Sequence, residues 1–232
     1  MFRIIKWLLA LPLAVFVFFN AYVYGNIITY RAVAPHQSAF MSMRMNEYRS
    51  AGKDVALDYR WVPYERISVN LKKALIASED ANFAAHSGFD WGGIRYAMKR
   101  NRQSGEIRGG GSTISQQLSK NLFLNSWQSY IRKGEEAAIT AMLEATTDKD
   151  RIFELYLNVI EWSHGVFGAE AAAQKFYGKP AAVLSKQQAA KLAARVPAPL
   201  FYADNPKSRR LRGKTNIILR RMGSAELPES EM

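Results

Sequence analysis

The stretch Ser78-Glu79-Asp80-Ala81-Asn82-Phe83-Ala84-Ala85-His86-Ser87-Gly88-Phe89-Asp90 places two adjacent acids at the close of an apolar segment, followed by a histidine and a glycine-containing turn. Leu71, Ala74, Leu75, Ser78 and Glu79 fall at i, i+3, i+4, i+7 and i+8, so Glu79 lies on the helical stripe that faces inward. Asp80 points elsewhere. A carboxylate at the end of such a stripe is either a cap or ion-pair partner, or a base whose pKa is raised by desolvation.

A second concentration of chemistry runs from Gly109-Gly110-Gly111-Ser112-Thr113 through Gln116-Gln117 and Lys120-Asn121 to Leu124. Glycines followed by Ser and Thr make a turn into a helix N-terminus, where free backbone N–H groups hold anions. It is not a Walker loop, because no Gly-Lys-Ser/Thr closes it. The helix splits into an apolar row of Ile114, Leu118 and Leu122 and a mostly polar row of Thr113, Gln117, Lys120 and Leu124, which is either the solvated side or a ligand face. From Tyr130 a further helix aligns Arg132 and Glu136 with Ile139 and Leu143. Arg132 and Glu136 fit an i, i+4 ion pair worth a few tenths of a kcal/mol, and Lys133 and Glu135 add charge to the outer side.

The elements that carry these residues have to fit within 232 residues of 48% hydrophobic content, enough for one sizeable core. The chain opens with Arg3 and Lys6 and then runs apolar from Trp7 to Tyr24, broken only by Asn20. That run is about 27 Å long as a helix, roughly a bilayer core. Positive residues before it predict a cytoplasmic N-terminus, and the lack of a clear peptidase site before Gly25 predicts an uncleaved anchor over 1–26. Residues 27–60 read as a membrane-proximal linker, where Met41, Met43 and Met45 fit either a short extended piece or a helix facing the membrane. Ser68 caps the helix that carries Glu79. Helices are expected over Trp91–Arg100, from Asp148 to about Asn158 with Ile152, Leu155 and Tyr156 inward, over the alanine-rich run before Gly178, and over Ser185–Val196. Asn101–Arg108 reads as a polar loop beside the cleft. No run alternates well enough to be assigned to a sheet.

With 32 Lys and Arg against 20 Asp and Glu, the net charge of +12 implies an anionic partner: nucleic acid, lipid headgroups or a phosphorylated substrate. The absence of cysteine excludes disulfide and thiolate chemistry. Lys207, Arg209, Arg210, Arg212, Lys214, Arg220 and Arg221 make 205–232 a basic tail, solvated or facing headgroups, that ends acidic at Glu229 and Glu231.

Taken in order, Glu79-Asp80 with Phe83, His86, Gly88 and Asp90; Gly110-Gly111-Ser112-Thr113 with Gln116-Gln117 and Lys120-Asn121; Arg132-Lys133 with Glu136; and Tyr156-Leu157-Asn158 resemble the peptidoglycan glycosyltransferases of glycosyltransferase family 51. The resemblance covers roughly Trp61 to Tyr202, within a domain set at 61–204. It implies a mainly α fold, a lysozyme-like helical head with a smaller membrane-proximal jaw, and lipid II with the growing glycan strand as substrates. It also implies an inner-membrane location and proteins of cell-wall synthesis and division as partners. Glu79 matches the family's catalytic glutamate and Glu136 its second. Lys120 and Arg132 match the cations that hold the pyrophosphate, while Asp80, Phe83, His86, Thr113, Gln117 and Asn121 fall among the substrate-binding positions. Glu136 either orients Lys120 and Arg132 or helps hold a divalent cation, Mg or Mn. No organic cofactor is implied. Trp162-Ser163-His164 and Arg195 depart from the usual pattern.

Two other classes compete. A lysozyme-type lytic enzyme shares the helical fold and the catalytic Glu, but it needs a second carboxylate across the sugar; here the second acid is accompanied by cations. A nucleic-acid or scaffold protein explains the charge but not the acids on inward faces, and its basic residues ought to form one stripe.

Overall fold

The computed structural model of the chain describes residues 2–104, 111–125 and 129–228, with the side chains of residues 2–9, 12 and 104 outside that description. Gly109, Gly110, the segment 105–108, Glu229, Glu231 and the side chains of Arg3, Lys6 and Trp7 therefore lie outside it. In chain order the elements are α1 (Phe2–Tyr30), α2 (Ala39–Ser50), β1 (Asp58–Tyr59), α3 (Val69–Glu79), α4 (Trp91–Ser104), α5 (Ile114–Phe123) and α6 (Tyr130–Thr146). There follow α7 (Lys149–Val159), β2 (Glu161–Ser163), β3 (Val166–Phe167), α8 (Ala169–Tyr177), α9 (Lys186–Ala193), α10 (Pro199–Asp204) and α11 (Arg209–Arg221). The fold is mainly α.

Helix α1 continues past the expected end of the anchor to Tyr30, and its stretch Leu13–Tyr30 is long and apolar enough to cross a membrane. Asn20, Asn26 and Thr29 donate back to the carbonyls of Phe16, Tyr22 and Gly25, which satisfies their polar groups within the apolar helix. Val23 and Ile27, one turn apart, are buried against the core, while Val15, Phe18 and Tyr22 on other faces are exposed. The last turn is clamped. Arg151 of α7 donates through Nε to the Tyr30 carbonyl at 2.8 Å and through Nη2 to that of Val33 at 3.0 Å, placing a cation on the carbonyl end of the helix.

Residues 27–60 are more than a linker. They contain α2, capped by the Ser38 hydroxyl, with Met41 fully buried and Tyr48 nearly so, and α2 packs on α5 rather than on the membrane. A small sheet also forms, contrary to the all-helical expectation after the anchor. Asp58 and Tyr59 pair in parallel with Val166 and Phe167, and β2 pairs antiparallel on the other side with a bulge. Strands of two and three residues are too short to display alternation.

Helix α5 lies at the centre, among α2, α6 and α7. Its apolar row is buried as expected, but Ser115 and Ser119 are buried too, with Ser119 Oγ bonded to Thr140 at 2.9 Å and Ser115 to Glu144. The polar row of Thr113, Gln117, Lys120 and Leu124 is therefore not a solvated side, since Thr113 and Leu124 are buried and Gln117 and Lys120 half-buried, and a third flank carrying Ser115 and Ser119 packs on α6. Residues 205–228 are not a free tail. Helix α11 buries Leu211 and Ile218 against α3 and α9, Met222 follows them into the core, and the arginines take the outer side. One hydrophobic core thus draws on α1, α2 and α11 as well as on residues 61–204. Helix α4 runs to Ser104, four residues into the expected loop.

Two contacts fix the approach to α7 and α8. Asn158, wholly buried, accepts from Val62 N–H at 3.0 Å and donates to the carbonyls of Val62 and Glu154, both at 2.9 Å. Gly168, at φ +85°, starts α8 so close to this residue that a Cβ would stand 2.7 Å from the Asn158 carbonyl oxygen. Gly168→Ala is expected to cost about 3 kcal/mol, from a strained φ and a clash with backbone that has no room to yield. Thermal or denaturant unfolding in detergent checks this, and an unshifted midpoint contradicts it.

Candidate active site

Helix α3 ends at Glu79 and hands over to Asp80, and the two carboxyl groups meet opposite surroundings. Asp80 is the more buried, and it does not simply point away. Its Oδ2 accepts the Ile114 N–H at the start of α5 at 2.9 Å, and its two oxygens lie 3.0 and 3.1 Å from His86 Nε2. A helix N-terminus favours negative charge, so Asp80 is a tie between α3 and α5. Glu79 sits at a helix C-terminus, which disfavours it. Among the described residues its oxygens receive only a hydroxyl, from Ser78 at 2.8 Å, and an amide, from Gln117 Nε2 at 3.2 Å. Burial pushes the Glu79 carboxyl above its usual pKa, and the two hydrogen bonds with the more distant Lys214 oppose the shift without cancelling it.

Gln117 is fixed in turn by Tyr156, whose hydroxyl donates to Gln117 Oε1 at 3.2 Å. Tyr156 is fully buried, and burial raises its own pKa far enough to keep it a hydrogen donor. The sequence placed Tyr156 in the core. Its role in the line Tyr156–Gln117–Glu79 has no signal in spacing, because the three residues lie on three helices.

A cleft of about 220 Å³ opens beside Glu79, walled by Asn82, Asp90, Tyr96, Arg100 and Ser112 among others. Asp90 accepts from Gly93 N–H at 2.8 Å and from Asn82 at 3.1 Å, and the Gly93 bond chiefly lowers its pKa. Several of the residues expected to bind substrate are buried in contacts within the protein. Phe83 is fully buried against Phe153, with ring centroids 5.4 Å apart. His86 steadies Asp80. Thr113 is nearly inaccessible, donates to the Gly88 carbonyl at 2.7 Å and caps α5 in a reciprocal pair with Gln116. Asn121 is buried on α5.

The second acid, Glu136, is buried on α6 between two cations. Arg132 Nη1 donates to Oε2 at 2.9 Å, and Lys133 Nζ reaches Oε1. Lys133 also lies 3.4 Å from the Ser112 hydroxyl at the edge of the cleft. It therefore belongs to the site rather than to the outer side of α6. The i, i+3 spacing from Lys133 to Glu136 was the available signal. Lys120 of α5 faces the same group without an ion pair among the described residues; burial lowers its pKa and Glu136 partly restores it. Lys214 of α11 is another residue that the sequence assigned to the tail, yet it feels the Glu79 charge, with burial lowering its pKa. His164 and Arg195, the two departures from pattern, are structural. His164 joins Tyr48 Oη at 3.0 Å to Asp204 at 2.9 Å, and Arg195 is buried over the Phe176 ring with Nη1 donating to the Tyr202 carbonyl.

Residues 47–223 match the family model described as Transglycosylase. The chain is 78% identical over 231 residues to a protein of Neisseria meningitidis serogroup C (strain 053442) named biosynthetic peptidoglycan transglycosylase, covering 100% of this chain and 99% of that one. It is 76% identical, with the same coverage, to a protein of the same name from Neisseria gonorrhoeae (strain NCCP11945).

The raised pKa of Glu79 has a consequence for stability that is independent of catalysis. The folded protein holds this proton more tightly than the unfolded chain. The corresponding stability is fully present below the unfolded value of about 4.3 and is lost as pH rises through the elevated folded value. Glu79→Gln, which cannot ionise, is expected to raise the thermal midpoint at neutral pH, and the gain should vanish as the pH approaches 4. A midpoint difference that stays constant across pH contradicts the burial argument.

Proposed function

The chain belongs to the transglycosylase family, and from that premise we propose that it polymerises lipid II into glycan strands by inverting transfer of a lipid-pyrophosphate-linked sugar to the 4-hydroxyl of an acceptor sugar. The observation that carries this reading is the pairing of a desolvated, poorly compensated carboxylate with a separate group of cations. Glu79 takes the proton of the acceptor hydroxyl, whose oxygen attacks the anomeric carbon. The new C–O bond forms as the bond to the pyrophosphate oxygen breaks, and the lipid pyrophosphate leaves with the electron pair. Direct displacement turns an α-linked donor into a β-1,4 glycan. The leaving group is already anionic, so it calls for cations rather than an acid, and Lys120, Arg132 and Lys133 supply them. Glu136 keeps Arg132 and Lys133 in place. Gln117, held by Tyr156, aims the Glu79 carboxylate.

Glu136 fits the orienting role better than the metal-holding one. Its two oxygens carry Arg132 and Lys133, and among the described residues no three His, Asp or Glu side chains converge as a metal site. This donor set does not fit a resident divalent cation, so no step is routed through one. We read α1 as a single-pass anchor in the plasma membrane, with the N-terminus cytoplasmic and the catalytic part outside, supported by Arg3 and Lys6 ahead of the apolar run. Proteins of cell-wall synthesis and division are the proposed neighbours.

The deciding experiment incubates the full chain in detergent with labelled lipid II and follows polymer on a gel. Wild type is expected to make polymer, Glu79→Gln to lose at least about a hundredfold in rate, and Lys133→Met to lose rate in protein that is still folded at the assay temperature. Cleavage of preformed strands in place of polymer formation would overturn the transferase reading in favour of the lytic one.

A further inference from the structure

Where the apolar stretch of α1 ends at Tyr30, the helix and the start of α7 leave a hollow of about 370 Å³ between them, lined by Ile28, Arg31, Ala32, Thr147, Asp148 and Arg151. It shares no lining residue with the cleft beside Glu79. Ile28, Arg31 and Asp148 are exposed at its rim. Arg151 is already engaged by the chain, through the Tyr30 and Val33 carbonyls and through Glu154 at 2.6 Å. Arg31 and Asp148 are not. Asp148 precedes α7 without making a side-chain cap bond, and its neighbour Lys149 is held by Glu144 at 2.7 Å. Among the described residues neither Arg31 nor Asp148 has a side-chain hydrogen bond or ion pair, so one cation and one anion face the same hollow unpaired.

We propose that this hollow binds a phospholipid whose headgroup carries a primary ammonium, a phosphatidylethanolamine, with its phosphate at Arg31 beside Arg151, its ammonium at Asp148 and an acyl chain against Ile28. The inference does not rest on the transferase reading; it requires only that α1 crosses a membrane. Three observations select this occupant. Arg31 follows directly on the stretch fit to cross a bilayer, so the hollow lies where the hydrocarbon core gives way to headgroups. Asp148 already takes the positive end of α7, which leaves a phosphate to the arginines, and an anionic headgroup such as phosphatidylglycerol brings nothing for Asp148 to pair with. Among the described residues no aromatic ring lines the hollow. A quaternary ammonium is recognised by aromatic faces, whereas a primary ammonium donates hydrogen bonds to a carboxylate, so the lining favours ethanolamine over choline. A lipid seated this way bridges α1 and α7 beside the Arg151 clamp and closes the junction against water.

The test titrates the full chain in detergent with phosphatidylethanolamine, phosphatidylglycerol or phosphatidylcholine of identical acyl chains, and counts bound lipid by native mass spectrometry. The expected result is one phosphatidylethanolamine held at least about fivefold more tightly than either of the others. Asp148→Asn, which keeps a good residue at the helix start, should remove the preference over phosphatidylglycerol while the phosphate contact persists. Arg31→Gln should weaken all three lipids. Equal binding of the three by wild type, or a preference that survives Asp148→Asn, overturns the proposal. Displacement of the lipid by soluble glycerophosphoethanolamine at the same concentration overturns it as well, because the affinity would then belong to a free headgroup rather than to a membrane lipid. None of these readouts involves polymer formation, so the outcome is separate from that of the lipid II assay.

Discussion

Two neighbouring carboxylates at the end of one helix cannot both be left to the low dielectric of a protein interior, and the rest of the site depends on how α3 resolves that conflict. Asp80 is given away to structure. The Ile114 amide and His86 compensate its charge, and in doing so they fix the N-terminus of α5 against the C-terminus of α3. That fixed junction is what lets Glu79 remain under-compensated, with one hydroxyl and one amide where Asp80 has a helix end and an imidazole. An acid held this way is a poor anion and therefore a competent acceptor of a proton.

The cations obey the complementary rule. Arg132 and Lys133 are gathered on Glu136, one turn away on the same helix, so that like charges on α6 and α5 can stand together without an anionic ligand present. Lys120 has no ion pair among the described residues, and the proposed reaction gives it the leaving group. In the proposed reaction helix α5 carries both halves of the chemistry, Gln117 toward the base and Lys120 toward the leaving group, and it is sunk among α2, α6 and α7 with even its serines bonded to neighbours. A helix that sets the distance between two charged centres has to be held on every side.

Much of this was legible in residues. The spacing of Leu71, Ala74, Leu75 and Glu79 placed an acid on an inward stripe, and Ser68, Ser185 and Gly178 marked helix ends where caps occur. What could not be read was anything set by contacts distant in sequence. Asp80 looked outward because helical phase says nothing about a helix N-terminus 34 residues later. Lys214 and its helix looked like a tail because a basic run with few apolar residues buries only Leu211 and Ile218, and that suffices when α3 and α9 present a matching face. The strands were invisible for a simpler reason, since two residues cannot define a period.

The grip of Arg151 on the end of α1 makes the anchor a mast rather than a tether. A tether would let the catalytic body roam above the bilayer and sample substrates at different heights. A mast has no reach, so the reacting atoms keep one elevation over the lipid surface. Encounter then becomes a two-dimensional search within a single leaflet, and growth of a strand requires the polymer to slide past a stationary centre while the protein keeps its place.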